Sequence, residues 1–226
     1  QPYHVLRDVY LNPLAEELRK HNTALLFGSL YRADNDYYNS LLAIGAAEGR
    51  YDKRHLVPFG EYFPVPGPLR PLMDALNTKY SDFLFGREGQ PPIMVHGQPA
   101  GLYICFEDVF ASEFAQTARD DAFIVNVTND AWFGKSGAAA QHLGMARMRS
   151  LETGRATLRA SNTGRSAIIG PDGGLLKAAG FFTTETVSGH ITPRSGLTPY
   201  MRWTDTPLWV FSGLALAWAF WRRKQA

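Results

Sequence analysis

The chain has 226 residues, of which 45% are hydrophobic and 13% aromatic, and its formal net charge at pH 7 is +2. This composition predicts a folded protein with one sizeable core and excludes a disordered chain. So small a charge, without a basic stripe, argues against nucleic acid as a partner. The presence of one cysteine excludes an intrachain disulfide. Without zinc-spaced His/Cys clusters or a standard phosphate-binding glycine loop, we expect no metal and no cofactor.

Hydrophobic periodicity in the first hundred residues predicts one helix, two strands and a long loop. Residues 5–20 have the spacing of an amphipathic helix, and the apolar runs 24–31 and 38–44 have the length of strands. The segment 64–92 is rich in Pro, Gly and aromatic residues and is predicted to be a loop with one short helix at 68–76. Loops of this length in a compact domain usually carry function.

The next hundred residues alternate between strands and helices. The predicted elements are a buried strand at 102–105, a helix at 109–119, a strand at 122–127, a helix at 141–153, and strands at 159–161, 166–169 and 184–191. On the second of these helices, the spacing of Met145, Met148 and Leu151 predicts a face that packs in the core. Apolar strands alternating with helices indicate an α/β layered domain.

Cys105 lies where the strand 102–105 breaks into the following helix. A tight strand-to-helix turn exposes a nucleophile at the edge of a sheet and aims backbone N–H groups at the carbonyl that it attacks. The alternative is a small buried hydrophobe, since free cysteine is among the most buried residue types. Position alone favours the alternative, and the segments on either side of the turn reverse that preference.

Several segments around the cysteine turn resemble the nitrilase superfamily, whose catalytic set is a cysteine, a lysine and a glutamate. Within it they are most similar to the apolipoprotein N-acyltransferase family, and the resemblance extends over essentially the whole chain. His55 and His142 fall inside these segments, and for each we expect a structural hydrogen bond and no metal ligation. The segments are HLVPFGEYFP, ICFED, NDAWFGKS, QHLGMARMRSLE and GLTPY.

The resemblance implies the four-layer α-β-β-α sandwich of nitrilases and a role for each site residue. Cys105 would be the acyl-accepting nucleophile, and Lys53 would stabilise the oxyanion together with the backbone N–H of Phe106. Glu61 would hold the Lys53 ammonium, and Glu107 would orient groups around the thiol. The alternative for Lys53 and Glu61 is a solvated surface pair of little energetic weight.

The start of the chain departs from the family pattern. The family's general base is a glutamate after the first strand of the domain, typically behind a Trp-Pro pair, whereas this chain opens at Gln1 without such a segment. Glu16 and Glu17 lie within the predicted first helix, so neither is assigned as the base. We therefore expect a fragment or a truncated gene product that lacks the first strand, the base and the preceding membrane helices, and that is inactive or impaired.

The end of the chain has a different character. Residues 207–221 carry no charge and are followed at once by Arg222, Arg223 and Lys224. Fifteen residues are fewer than the ~20 that a membrane span needs, but tryptophans flank the run as in interfacial belts. We predict a nitrilase-like domain at 1–198, a linker at 199–206, a transmembrane helix at 207–221 and a cytoplasmic basic tail at 222–226. The alternative is a helix docked on the core.

Three functions fit these predictions. In the first, Cys105 takes an acyl chain from a phospholipid and passes it to the N-terminal diacylglyceryl-cysteine of an apolipoprotein, at the bacterial inner membrane with the domain in the periplasm. In the second, a soluble amidase or nitrilase lets water resolve the same thioester. The third is a catalytically silent remnant. The apolar C-terminal run favours the first, and apolar residues near the site suit acyl chains or else simply pack: Phe59, Phe63, Leu69, Leu72, Met73 and Phe83.

Overall fold

The first part of the chain forms a helix and a three-stranded antiparallel sheet. A computed structural model describes residues 7–33, 36–65 and 83–224. The strands pair in the order β1-β2-β3, and helix α1 packs against β1 and β2. The elements are a π-helical turn at Arg7–Leu11, α1 at Asn12–Lys20, β1 at Ala24–Ala33, β2 at Asp36–Gly45 and β3 at Gly49–Asp52.

The second part builds a six-stranded sheet in the order β4-β5-β6-β7-β8-β9. Its strands are β4 (Ile93–Val95), β5 (Gln98–Ile104), β6 (Phe123–Thr128), β7 (Thr157–Ser161), β8 (Ala167–Ile169) and β9 (Leu175–Ala178). The three central strands β5, β6 and β7 run parallel, and the outer pairs are antiparallel. Because the parallel strands end at one edge, the residues that follow β5 and β6 meet there.

Five helices and helical turns connect or follow the strands of this sheet, and a sixth and seventh end the described part of the chain. They are α2 (Ala111–Thr117), α3 (Ala138–Thr153), α4 (Pro199–Trp203) and α5 (Thr206–Arg223), with short 3-10 helices at Cys105–Val109, Ala118–Asp120 and Asp130–Phe133. The helix predicted at 68–76 lies outside the described residues.

The core is divided by the alternation of side chains along β5. Leu102 and Ile104 pack with Leu41 of β2 between the two sheets, because alternate residues of a strand point to opposite faces. Tyr103 faces the other way and packs on Phe114 of α2. The predicted α/β layered domain, with two sheets and helices against the six-stranded one, is therefore confirmed.

The strand predicted at 184–191 is wrong, because these residues have no regular structure. The edge of the sheet is taken by β9, which returns from β8 through a tight turn. In this turn the Gly170 N–H donates to the Gly174 carbonyl, and the Gly173 N–H donates to the Gly170 carbonyl. Ile191 packs on the inter-sheet core without pairing to a strand, so its apolar character reflects packing alone.

The predicted core face of the long helix is also wrong. Met145, Met148 and Leu151 of α3 are 38%, 50% and 51% exposed. The helix instead buries polar side chains, among them His142 and Arg149, since these have partners in the core. A hydrophobic pattern does not identify the buried face when ion pairs and hydrogen bonds satisfy the polar residues.

The C-terminal segment forms the helix α5 with no buried side chain. The prediction of a membrane-spanning helix at 207–221 is not confirmed: among the described residues, no helix is long and apolar enough to cross a membrane. The apolar run is short, and Arg222 and Arg223 belong to the same helix. Just before it, α4 occupies part of the predicted linker 199–206, and its Met201 is fully buried against Tyr103 and Phe114.

Candidate active site

Cys105 occupies the predicted turn. It follows β5 directly and begins a 3-10 helix, and its backbone has φ +51°, in the left-handed region. A residue other than glycine is uncommon in this region and is held there only by its surroundings. The side chain is half-buried and contacts the edge of the inter-sheet core. It is therefore not sealed inside the core as a small hydrophobe.

Hydrogen bonds to Glu107 connect this turn to β3 and to the segment that follows β3. Its Oε2 accepts the N–H of Ile104 at 2.8 Å, while Oε1 accepts the hydroxyl of Tyr51 at 2.8 Å and the N–H groups of Arg54 at 2.7 Å and His55 at 3.3 Å. Burial raises the pKa of the Glu107 carboxyl, and the hydrogen bonds from these donors oppose the rise. Four donors converge on one buried carboxylate, which therefore acts as a clamp.

The clamp connects the segment that contains Lys53 to the turn that contains Cys105. Lys53 lies between Tyr51 and Arg54, two residues that donate to Glu107, and Glu107 is two positions beyond Cys105. The structure thus joins the segments of three predicted site residues through direct hydrogen bonds.

Lys53 and Glu61 form a buried ion pair. The Lys53 side chain is 1% exposed, and its Nζ lies 2.6 Å from Glu61 Oε2. The same oxygen accepts the Val57 N–H at 2.8 Å, and Oε1 accepts the Asn39 side-chain amide at 2.6 Å. The alternative of a solvated surface pair is wrong, because both charges are withdrawn from water and fixed by further hydrogen bonds.

A reverse turn places Glu61 against Lys53. The N–H groups of Gly60 and Glu61 both reach the Val57 carbonyl, and the Phe59 N–H reaches the Tyr62 carbonyl. Phe59 adopts φ +62° at the tip of this turn and is 70% exposed. The chain therefore folds back after Pro58, and this reversal brings the two charges, eight positions apart, into contact.

A second charged cluster lies beneath the cysteine turn. His142 of α3 has Nδ1 2.7 Å from Asp130 Oδ1 and Nε2 3.0 Å from Asp108 Oδ1. Arg159 of β7 approaches the other oxygen of each carboxylate, at 3.2 Å from Asp108 and 3.3 Å from Asp130. The expected structural hydrogen bond of His142 is thereby confirmed.

The titration of this cluster follows from its geometry. Burial alone would lower the pKa of His142, but the Asp108 and Asp130 carboxylates outweigh it and raise the pKa to about 10. Burial likewise would raise the pKa of Asp130, but the hydrogen bond from His142, the Arg159 charge and the Ser161 hydroxyl lower it to about 2. His142 and Asp130 are therefore both charged at neutral pH.

The sequence did not predict this cluster or the partners of the clamp. Asp108 follows Glu107 directly. Asp130 begins the 3-10 helix after β6, and Arg159 lies in β7. The available signal was a charged residue, Arg159, inside a predicted strand, since a buried charge requires a partner. Among the described residues, no group of three or more His, Cys, Asp or Glu side chains is arranged to hold a metal ion.

Aromatic side chains surround the reverse turn on its exposed side. Phe59 and Phe63 meet edge to face at 5.2 Å, and Tyr62 meets Phe85 at 5.1 Å. Phe83 is half-buried. The predicted acyl-chain contacts Leu69, Leu72 and Met73 lie outside the described residues.

Comparison with solved structures identifies the class of fold. The chain is similar to the C. elegans NitFhit protein, with a TM-score of 0.58 and 20% identity over 79% of this chain and 44% of that one. At this identity the similarity shows the fold, which is the α/β sandwich of nitrilase-like proteins.

The model of the carbon-nitrogen hydrolase family matches residues 5–200, and the chain belongs to that family. The apolipoprotein N-acyltransferase of Methylococcus capsulatus is 41% identical over 91% of this chain and 41% of the relative. That of Chromobacterium violaceum is 40% identical over 95% of this chain and 43% of the relative. The predicted resemblance is confirmed, and the chain spans about two fifths of the length of these curated relatives.

Proposed function

We propose that this chain is the catalytic part of an N-acyltransferase that transfers an acyl chain from a phospholipid to an apolipoprotein. One observation carries the proposal: hydrogen bonds to Glu107 connect the segment of the buried Lys53–Glu61 pair to the turn that contains Cys105. The names of the relatives support the choice of acyl transfer over hydrolysis.

In the first half-reaction, the Cys105 sulfur attacks the ester carbonyl of the phospholipid. A carbon–sulfur bond forms, the ester carbon–oxygen bond breaks, and the lysophospholipid leaves with a proton. The Lys53 ammonium and the Phe106 N–H stabilise the negative charge that develops on the carbonyl oxygen. Glu61 fixes the ammonium through its 2.6 Å contact, so little reorganisation is needed when the charge appears.

In the second half-reaction, the α-amino group of the diacylglyceryl-cysteine attacks the thioester. The new amide bond forms, the carbon–sulfur bond breaks, and the thiol of Cys105 is restored with the proton that the amine loses. Glu61 and Glu107 are each held by several donors, so we assign neither as the general base.

Both substrates are lipids, and the helix α5 supports contact with a membrane. Its Trp209, Phe211 and Leu216 are 72%, 71% and 71% exposed, and Arg222 and Arg223 follow at its end. We assign the protein to the inner membrane, with the catalytic domain in the periplasm and α5 as a membrane-associated element. In vesicle flotation, the native chain should rise with phospholipid vesicles, and Leu214→Arg with Leu216→Arg should remain in the aqueous fraction. Flotation unchanged by these substitutions would contradict the role of α5.

The central experiment supplies the chain with a phospholipid that carries an alkyne-tagged acyl chain. Cys105 should acquire the tag through a bond that neutral hydroxylamine cleaves, as a thioester requires. A diacylglyceryl-cysteine peptide should then remove the tag as an amide. Cys105→Ala is the matched control and should acquire no tag, because the chain has no other thiol.

Three outcomes would contradict the proposal. Tag retained by Cys105→Ala would place the chemistry elsewhere. Release of the tag as a free acid, with the peptide unmodified, would favour the amidase or nitrilase function. Absence of tag on the folded native chain would favour a silent remnant.

A further inference from the structure

The backbone carbonyl of Cys105 is held by a side chain from a distant part of the chain. His142 Nε2 lies 3.2 Å from the Cys105 carbonyl oxygen. His142 belongs to α3, and its ring is buried, with 6% of the side chain exposed. The contact therefore links the long helix to the residue with the left-handed backbone.

The surroundings of the ring determine which of its nitrogen atoms carry hydrogen. Nδ1 faces a carboxylate oxygen of Asp130 at 2.7 Å, and Nε2 faces the Cys105 carbonyl and Asp108 Oδ1. Nδ1 also has the Arg159 guanidinium 3.1 Å away, whereas Nε2 has acceptors before it, so Nε2 donates. Asp108 Oδ1 accepts no hydrogen bond among the described residues. Its contact with Nε2 is therefore an ion pair. The hydrogen on Nε2 points to the Cys105 carbonyl.

The charges around the ring explain why it is fixed. Asp108 and Asp130 attract it, while Arg159 Nη2 lies 3.1 Å from Nδ1 and repels it. Arg159 itself is bound to the same two carboxylates. The two cations and two carboxylates thus form a closed network that fixes the orientation of the His142 ring. Phe133 also meets this ring edge to face, with the ring centres 6.2 Å apart.

A peptide group is planar and trans, so the carbonyl of Cys105 and the N–H of Phe106 point in opposite directions within one rigid unit. A donor that fixes the direction of the carbonyl also fixes the direction of the N–H. We propose that His142 is a positioning residue that aims the Phe106 N–H at the developing oxyanion by holding the Cys105 carbonyl on the opposite side of the peptide plane. This inference rests on the proposed function, in which Cys105 is the nucleophile.

Two reagents separate this role from a general effect on the fold. Acylation of Cys105 by p-nitrophenyl butyrate passes through an oxyanion: a carbon–sulfur bond forms and p-nitrophenolate leaves. Alkylation by iodoacetamide forms a carbon–sulfur bond and releases iodide without any oxyanion. A misdirected N–H therefore slows the first reaction and spares the second. Both reagents report on one site, since Cys105 is the only cysteine.

The variants are His142→Leu, which removes the donor, and His142→Gln, whose side-chain amide retains an N–H. Leu143→Ala is the matched control, because Leu143 is the next residue of α3 and packs on Ala146 and Ile169, away from the cysteine turn. Rates are expressed per folded molecule, with the folded fraction taken from circular dichroism. His142→Leu should lower the acylation rate by ~10²-fold, the effect of a misplaced catalytic group. Its alkylation rate should stay near that of the native chain.

His142→Gln should lie between His142→Leu and the native chain, and Leu143→Ala should match the native chain in both rates. If His142→Leu does not fold, the ratio of the two rates in His142→Gln decides. An unchanged ratio in the His142 variants, or an equal change in Leu143→Ala, would overturn the inference. Equal p-nitrophenolate release from Cys105→Ala would overturn the proposed function instead, so the two failures are distinguishable.

Discussion

Two charged clusters belong to segments that hydrogen bonds connect to the Cys105 turn, and they differ in how many partners each charged group has. In the first, Lys53 meets Glu61, which is its hydrogen-bond partner among the described residues although an ammonium has three hydrogens to donate. In the second, His142 and Arg159 each approach both carboxylates of the cluster within 3.3 Å. Among the described residues, the Lys53 ammonium of the first cluster has hydrogens left to donate, and we call this Lys53–Glu61 pair the open cluster. In the second, each cation is bound to both carboxylates, and we call this group of His142, Arg159, Asp108 and Asp130 the closed cluster.

This contrast gives the two clusters different tasks. An ammonium with one hydrogen-bond partner among the residues that the structure describes is suited to a charge that appears only during the reaction. A closed network of two cations and two carboxylates is suited to fixing backbone, and here it reaches the carbonyl of Cys105. Glu107 also fixes backbone, because its donors are three backbone N–H groups and one hydroxyl.

The largest effect is expected at the open cluster. Lys53→Met should lower the rate of Cys105 acylation by about 10²–10³-fold, the loss found when one oxyanion donor is removed. It should also destabilise the fold, because a buried pair that loses one partner leaves an uncompensated charge, at a cost of roughly 3–5 kcal/mol. Acylation kinetics and urea unfolding measure the two losses separately.

The double variant Lys53→Met with Glu61→Gln sharpens this test. It removes the stranded carboxylate and should recover a large part of the stability that Lys53→Met loses. The rate of acylation should remain low, because the ammonium is still absent. Recovery of both stability and rate in the double variant would show that Lys53 serves the fold alone.

The sequence predicted the contact between Lys53 and Glu61, which the structure shows at 2.6 Å. The reverse turn after Pro58 was evident from its composition, and it brings the two residues together. The catalytic roles of Lys53, Glu61 and Cys105 stay predictions. The clamp was harder to predict, because the role of Glu107 depends on a hydroxyl and two backbone N–H groups more than fifty positions away. The residues next to Glu107 in the sequence do not indicate which distant groups donate to it.

The closed cluster escaped prediction for a different physical reason. A search for apolar periodicity selected the exposed Met145 and Met148 as the inner face of α3 and passed over His142 and Arg149. Burial of these polar residues is stabilised by ion pairs and carbonyl contacts from other elements. Hydrophobicity alone therefore misassigns a helix whose inner face supports a site.

A moderate effect is expected at the clamp. Glu107→Gln keeps the size of the side chain but replaces one carboxylate oxygen with a donor. At least one of the Ile104, Tyr51 and Arg54 donors then faces another donor. The free energy of unfolding should fall by about 1–3 kcal/mol, the cost of a buried polar group without its partner. Chemical denaturation measures it.

The activity of this variant distinguishes the clamp from direct catalysis. Because Glu107 acts by joining the Cys105 turn to the Lys53 segment, acylation should decline and alkylation should decline less. An unchanged free energy of unfolding together with loss of acylation would contradict the clamp and make Glu107 a catalytic group.

Per pH unit, the smallest effect is expected from titration, and it tests whether the closed cluster holds charge. The fold raises the pKa of His142 from 6.5 to about 10. Its contribution to stability is therefore fully present below pH 6.5 and is lost as the pH rises through 10, at no more than about 1.4 kcal/mol per pH unit.

The fold lowers the pKa of Asp130 from 3.8 to about 2. That contribution is present above pH 3.8 and is lost as the pH falls through 2. The groups that face the ring are Asp108, Asp130 and Arg159.

Other buried groups titrate in the same range, so the measurement is a difference between two chains. The free energy of unfolding of the native chain is measured from pH 6 to pH 10 beside that of His142→Gln, which carries no charge at this position. The native chain should lose its advantage over the variant as the pH rises, because its unfolded state releases the His142 proton near pH 6.5 and its folded state only near pH 10. A difference that does not change with pH would mean that the ring is neutral in the fold, and the Cys105 carbonyl would then be held by a weaker, uncharged donor.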